Sequence, residues 1–236
     1  MATRVTPSDD AWVLGELATL AERAAARHRA GTPGARALCE VLFQELGFVR
    51  EVSSTELDFV LLPSVLRQRR GNCVGLGTVY LAVAEALGFR AQGVLRPGHF
   101  YARHAAPDAP RNVELLRRGE AMPNAWYDGR FPIPGGGRGY YGRPLASAEV
   151  VGVIAYDVGN ERRRQQRLPE AERAYARATE LFPGFSEAHA SLGAARQLLG
   201  KDDEAVASYR TARSLNPDLP GLDDNLALLQ AERGSR

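Results

Sequence analysis

Residues 152–219 repeat themselves. Shifting the chain by 34 positions lays Gly159 on Gly193, Ala171 on Ala205, Tyr175 on Tyr209, Ala178 on Ala212, Leu181 on Leu215 and Pro183 on Pro217. A period of this length is one supersecondary unit. The matched residues describe a helical hairpin: small side chains let two helices approach closely, the tyrosine fills the remaining gap, and proline stops the second helix. Two repeats are expected, 152–185 and 186–219, then a closing helix over 221–232 in which Leu226, Leu229 and Gln230 cover the last hairpin's apolar face. An array usually needs about three repeats to stand alone, so the hairpins are expected to lean on the chain that precedes them.

That preceding stretch has its own pattern. Asp9 or Asp10 is placed to cap a helix carrying Trp12, Leu17, Leu20, Ala21 and Ala24 at helical spacing, and Gly31-Thr32-Pro33 ends it. A second helix carries Leu38, Val41, Leu42 and Leu46 and stops at Gly47. After a mixed segment from Arg50 to Pro63, Ser64 offers an N-cap for a short helix ending near Arg70. Gly71-Asn72-Cys73 then opens a helix through Leu76, Val79, Tyr80, Val83 and Leu87, with Gly88 at its end. Residues 90–95, 98–103 and 112–116 read as short strands separated by Arg-Pro-Gly and by the turn-rich AAPDAP of 105–110. Four prolines and seven glycines between Arg118 and Pro144 predict a loop or linker. The expected division is therefore a domain over 1–117, a linker over 118–147 and an all-helical domain over 148–236.

Several function classes are disfavoured. The net charge of +2 comes from 30 basic and 28 acidic residues mixed along the chain, which builds no field for nucleic acid or an anionic membrane surface. Residues 1–10 hold no apolar run of the secretory type, and no stretch reaches the roughly 20 apolar residues that span a bilayer, so the expected location is the cytoplasm. Cys39 and Cys73 are expected as free thiols in a reducing compartment. Two cysteines and four scattered histidines show no paired ligand spacing, so no metal and no cofactor are expected.

Chemistry concentrates around Cys73. A thiol is nucleophilic as the thiolate, which a helix N-terminus favours through its partial positive charge, and the same amides suit an oxyanion. His99, in Pro97-Gly98-His99-Phe100, stands at a strand start as a general base, with Gly98 expected to let a partner approach closely. Asn112 and Glu114 lie two apart on the next strand and share one face, so a hairpin can bring either beside His99 as the group that orients the imidazole. Cys39, on an apolar helix face, reads as a core residue. His28, His104 and His189 read as surface or packing residues, and Trp126, Tyr127, Tyr140 and Tyr141 as packing between the halves or the wall of a substrate groove.

Three segments, RRGNCVGLGTVYLAVAEALGF, PGHFYAR and NVELLRRG, resemble the SirB1-like branch of the transglutaminase-like superfamily over roughly residues 35–120. The tail resembles tetratricopeptide repeats, which commonly follow that domain. The resemblance implies an α+β, papain-like core of helices packed on a small antiparallel sheet, followed by an all-α domain. It implies Cys73 as nucleophile and His99 as base. The superfamily's aspartate, about fifteen residues after the histidine, falls on Glu114, with Asn112 the nearby amide alternative. The implied activity is a cysteine hydrolase or acyltransferase acting on a peptide or amide bond, with a protein or peptide partner in the groove of the hairpins. The alternative is a non-catalytic scaffold whose helical surface carries the biology.

Overall fold

The computed structural model describes residues 7–51, 56–105, 111–133 and 139–234 and divides into two units between Pro132 and Ile133. In the first, α1 (Pro7–Arg29) precedes α2 (Gly34–Cys39), which continues as a π-helical stretch over Glu40–Glu45. A two-residue strand β1 (Val49–Arg50), a turn of 3-10 helix (Leu57–Phe59) and α3 (Leu62–Gln68) lead to β2 (Arg70–Gly71), which pairs parallel with β1. Helix α4 (Cys73–Ala86) is followed by a four-stranded antiparallel sheet in sequential order: β3 (Ala91–Arg96), β4 (His99–His104), β5 (Arg111–Glu114) and β6 (Glu120–Met122), and then by α5 (Asn124–Arg130).

Alternation along the strands separates the sheet into two faces. Phe100, Ala102 and Val113 point to one, which packs on α4 together with Leu76, Val79, Tyr80 and Val83 in the main core. Val94 and Tyr101 point to the other, where Tyr127 of α5 closes a second, aromatic cluster with Met122, Trp126 and Phe131 around it. A helix over 124–130 was not expected within the 118–147 linker. Its order comes from contact with the sheet, which no local periodicity announces: Tyr127 stacks on Tyr101 with centroids 3.8 Å apart. The strand β6 was missed for the same reason. Residues 134–138, and 106–110 of the expected AAPDAP turn, lie outside the described residues.

Two expected caps differ. Helix α1 already begins at Pro7, so Asp9 and Asp10 occupy its first turn, where their charge complements the helix dipole. Helix α3 begins at Leu62 behind Leu61, with Pro63 in its first turn; Ser64 is inside it and donates to Asp58 Oδ1 at 3.3 Å.

The second unit holds α6 (Ser147–Arg164), α7 (Leu168–Leu181), α8 (Ser186–Leu198), α9 (Asp202–Leu215) and α10 (Leu222–Gly234). The matched positions have matched surroundings. A Cβ on Gly159 would meet the Tyr175 ring at 2.5 Å, and one on Gly193 the Tyr209 ring at 2.7 Å, so in each hairpin glycine admits the tyrosine of the following helix. Ala171, Ala178, Ala205 and Ala212 are fully buried. Leu222, Leu226 and Leu229 of α10 pack on Ala205, Tyr209 and Ala212; the side chain of Gln230 lies outside the described residues. Tyr140 packs against Phe182 and Phe185, and Tyr141 donates to Glu187, so both belong to this helical unit. No described helix is long and apolar enough to cross a membrane.

Candidate active site

Three local devices place Cys73. Asn72 takes extended backbone as the N-cap, and its Oδ1 accepts from the Gly75 N–H at 2.9 Å, so α4 starts at Cys73. Gly75 has no room for a side chain, since an added Cβ would lie far closer to the Phe59 carbonyl oxygen than van der Waals contact allows. Gly77 likewise sits under the Phe100 ring. The spacing of these glycines thus lets the first turns of α4 lie directly on a backbone carbonyl and on β4. The helix runs the same way as β4, because Gly77 meets Phe100 and, further along, the Tyr80 hydroxyl bonds His104 Nε2 at 2.6 Å. Cys73 stands one turn before Gly77, at the start of α4, and is not among the residues lining the cavity that holds His99 and Glu114. Cys73 is not in a disulfide and is half-buried.

His99 and Glu114 come together as the shared-face argument requires. The register pairs Ala102 with Val113 and Arg103 with Asn112, which puts His99, Tyr101 and Arg103 on the same face as Asn112 and Glu114. His99 Nε2 meets Glu114 Oε2 at 2.7 Å, and the other carboxylate oxygen accepts from the Leu116 N–H at 3.1 Å. With Nε2 bonded to a carboxylate, the neutral imidazole carries its proton there and keeps Nδ1 as the basic nitrogen. The Phe131 ring stacks on His99 at a centroid distance of 4.1 Å and 6° between planes, which holds the imidazole flat. Tyr127 is fully buried alongside; desolvation, then the Glu114 charge, raises its phenol so that it stays protonated.

Asn112 is held elsewhere. Its Oδ1 accepts from Arg103 Nε at 2.7 Å, and its amide nitrogen donates to Met122 O and Asn124 Oδ1. Of the two residues weighed for the third position, Glu114 is the one bonded to His99. Gly98 plays a different part from the one expected: a Cβ there meets nothing within 4 Å, but its φ of +67° after Pro97 is the backbone of a tight turn, and it sets the Arg96–His99 pairing of β3 with β4. His99 thus owes its place at the strand start to the turn.

The histidine and its carboxylate open into a cavity of about 210 Å³, walled by Trp126, Phe131 and Leu116 and rimmed by Arg50, Arg117 and Arg130. Phe131, Arg50 and Arg130 were not anticipated, since a lone aromatic or basic residue in irregular sequence carries no local signal of its tertiary neighbours. Cys39 contrasts with Cys73. It is packed against Gly119, and burial pushes its thiol up to about 12, so it remains protonated across the physiological range. The other histidines have structural bonds: His28 Nδ1 to Thr32 O, His104 to Tyr80 and His189 Nε2 to Pro183 O. Among the described residues no three His, Cys, Asp or Glu side chains cluster as metal ligands.

A model of the transglutaminase-like superfamily matches residues 11–128, half of the chain and nearly all of the first unit. The chain belongs to that superfamily. The match takes in Cys73, His99 and Glu114 and ends two residues before the end of α5, so β6 and α5 fall within the family domain. A partial likeness is also found to the human protein O-mannosyl-transferase TMTC1, at 33% identity over 81 residues. Those residues are 34% of this chain and 9% of that protein, so the chain spans less than a tenth of that relative's length.

Proposed function

We propose that the first unit is a cysteine hydrolase or acyltransferase of the SirB1-like branch, acting on a peptide or amide bond in the cytoplasm. Cys73 is the nucleophile, His99 the general base and Glu114 the residue that orients it. The observation that carries this reading is the buried bond between His99 Nε2 and Glu114 Oε2, because it leaves Nδ1 as the base and holds the ring still. In the reaction, Nδ1 takes the Cys73 proton and Sγ attacks the carbonyl carbon. The C–N bond breaks as a carbon–sulfur bond forms, and the amine leaves with the proton from His99. Water or a second amine then attacks the thioester and releases the acyl group. The helical hairpins, of tetratricopeptide type, bind a protein or peptide partner.

The depth of His99 beneath Phe131 favours a second reading, in which the His99–Glu114 bond is purely structural and the hairpin surface alone carries the function. Iodoacetamide labelling, read peptide by peptide by mass spectrometry, separates the two. The catalytic reading expects Cys73 to be alkylated well below pH 8, and at least tenfold more slowly in His99→Ala. Labelling no faster than that of a free cysteine, and indifferent to His99→Ala, overturns it.

A further inference from the structure

The cavity in front of His99 combines a sunken acid–base pair with an unbalanced basic rim. Arg117 is answered by Glu120, at 2.5 Å. Arg50 and Arg130 have no carboxylate partner among the described residues; Arg130 lies over the Trp126 ring at 5.8 Å, and both arginines are exposed. The lone carboxylate of the cavity, Glu114, is already committed to His99 and to the Leu116 N–H. The field at the mouth is therefore positive, and arginine offers a planar fork of donors suited to a carboxylate. A second cavity of about 380 Å³ adjoins it, sharing Arg50, Leu116 and Arg117, and is lined beyond them by Phe43, Phe48 and Val49 as well as by Arg118 and Glu120.

We infer that the substrate is an anionic acyl donor, a peptide with an acidic side chain or terminal carboxylate next to the reacting carbonyl, held by Arg50 and Arg130, with an apolar residue in the adjoining cavity. This rests on the catalytic reading of Cys73 and His99 and adds a substrate class to it. A carboxylate at the rim would be drawn in before it docks, and its attraction would weaken with salt.

Two measurements test it. The first compares iodoacetate with iodoacetamide as alkylating agents for Cys73, each rate divided by that for a free cysteine peptide. The expected preference for the anion is at least fivefold at low ionic strength, falling towards one in 0.5 M salt (~4 Å screening length) and in Arg50→Gln/Arg130→Gln. No preference for the anion, with Cys73 still reactive, overturns the substrate class and leaves the catalytic reading standing. The second follows Trp126 fluorescence in a Trp12→Phe background, in full-length protein, on addition of N-acetylglutamate or the neutral N-acetylglutamine amide. Saturable quenching by the anion, lost in the double arginine variant, supports the anion site even where Cys73 proves inert, the outcome that removes the catalytic reading. Equal responses to both compounds overturn the anion site. The variants change exposed side chains, and an unchanged circular dichroism spectrum checks that they fold.

Discussion

His99 Nε2 and Glu114 Oε2 are 2.7 Å apart, with side chains only 4% and 1% exposed. Whatever the net worth of so deeply enclosed a pair after desolvation, breaking it on one side leaves a polar group stranded away from water.

Replacing Glu114 by Ala strands His99 Nε2 and the Leu116 N–H together. The expected loss of folding stability is at least about 1–3 kcal/mol, the cost of leaving one buried group unsatisfied. Glu114→Gln keeps an oxygen for one of the two donors and should lose less than the alanine variant. Urea unfolding of the three proteins checks the order; equal midpoints would show that the bond contributes nothing.

The two thiols should differ in the native protein. With Cys39 held at about 12 by burial, only Cys73 should react with a disulfide reagent at pH 8, one equivalent per chain, and both after unfolding in urea. Two equivalents from the folded protein would mean that the Cys39 packing opens readily.

Gly75→Ala should destabilise the first unit by about 1–3 kcal/mol, the usual range for overpacking, because the added methyl meets a backbone carbonyl rather than a movable side chain. Gly15→Ala serves as control, since an added Cβ there meets nothing within 4 Å, and should be neutral or slightly stabilising. Thermal melts of both variants decide.

The helical unit should weaken as pH rises. Burial lifts the carboxyls of Asp157 and Glu187 to about 7, above their unfolded range of about 4. Folding therefore binds protons: the contribution is full below about pH 4 and is lost as the pH climbs through 7. Asp157→Asn should raise the urea midpoint at pH 8, through a gain in unfolding free energy on the order of 1–3 kcal/mol, and match the parent at pH 4. A difference that is independent of pH would exclude titration as its cause.

How much of this was legible depends on how local each cause is. The hairpins show in the sequence because Gly159 with Tyr175 and Gly193 with Tyr209 repeat one contact at one spacing. Cys73 could be placed at a helix start because its N-cap and the glycines around it are neighbours in the chain. Asn112 and Glu114 could not be told apart, since both lie on one face; only the pairing of Ala102 with Val113 decides which reaches His99. The 118–147 segment misled because Pro and Gly dominate its composition while Tyr127 and Phe131 take their order from Tyr101 and His99, some thirty residues earlier. Arg50 and Arg130 are likewise brought to one cavity mouth by pairings that no short window contains.

The glycine–tyrosine contact inside each hairpin has a last consequence, for how the chain can change. Each hairpin satisfies its own tyrosine, so copying one whole unit creates a junction of a kind the protein already makes between α7 and α8. The tail can therefore lengthen in steps of 34 residues without redesign, whereas the first unit, whose buried His99–Glu114 bond depends on the register of two neighbouring strands, has no such freedom to grow.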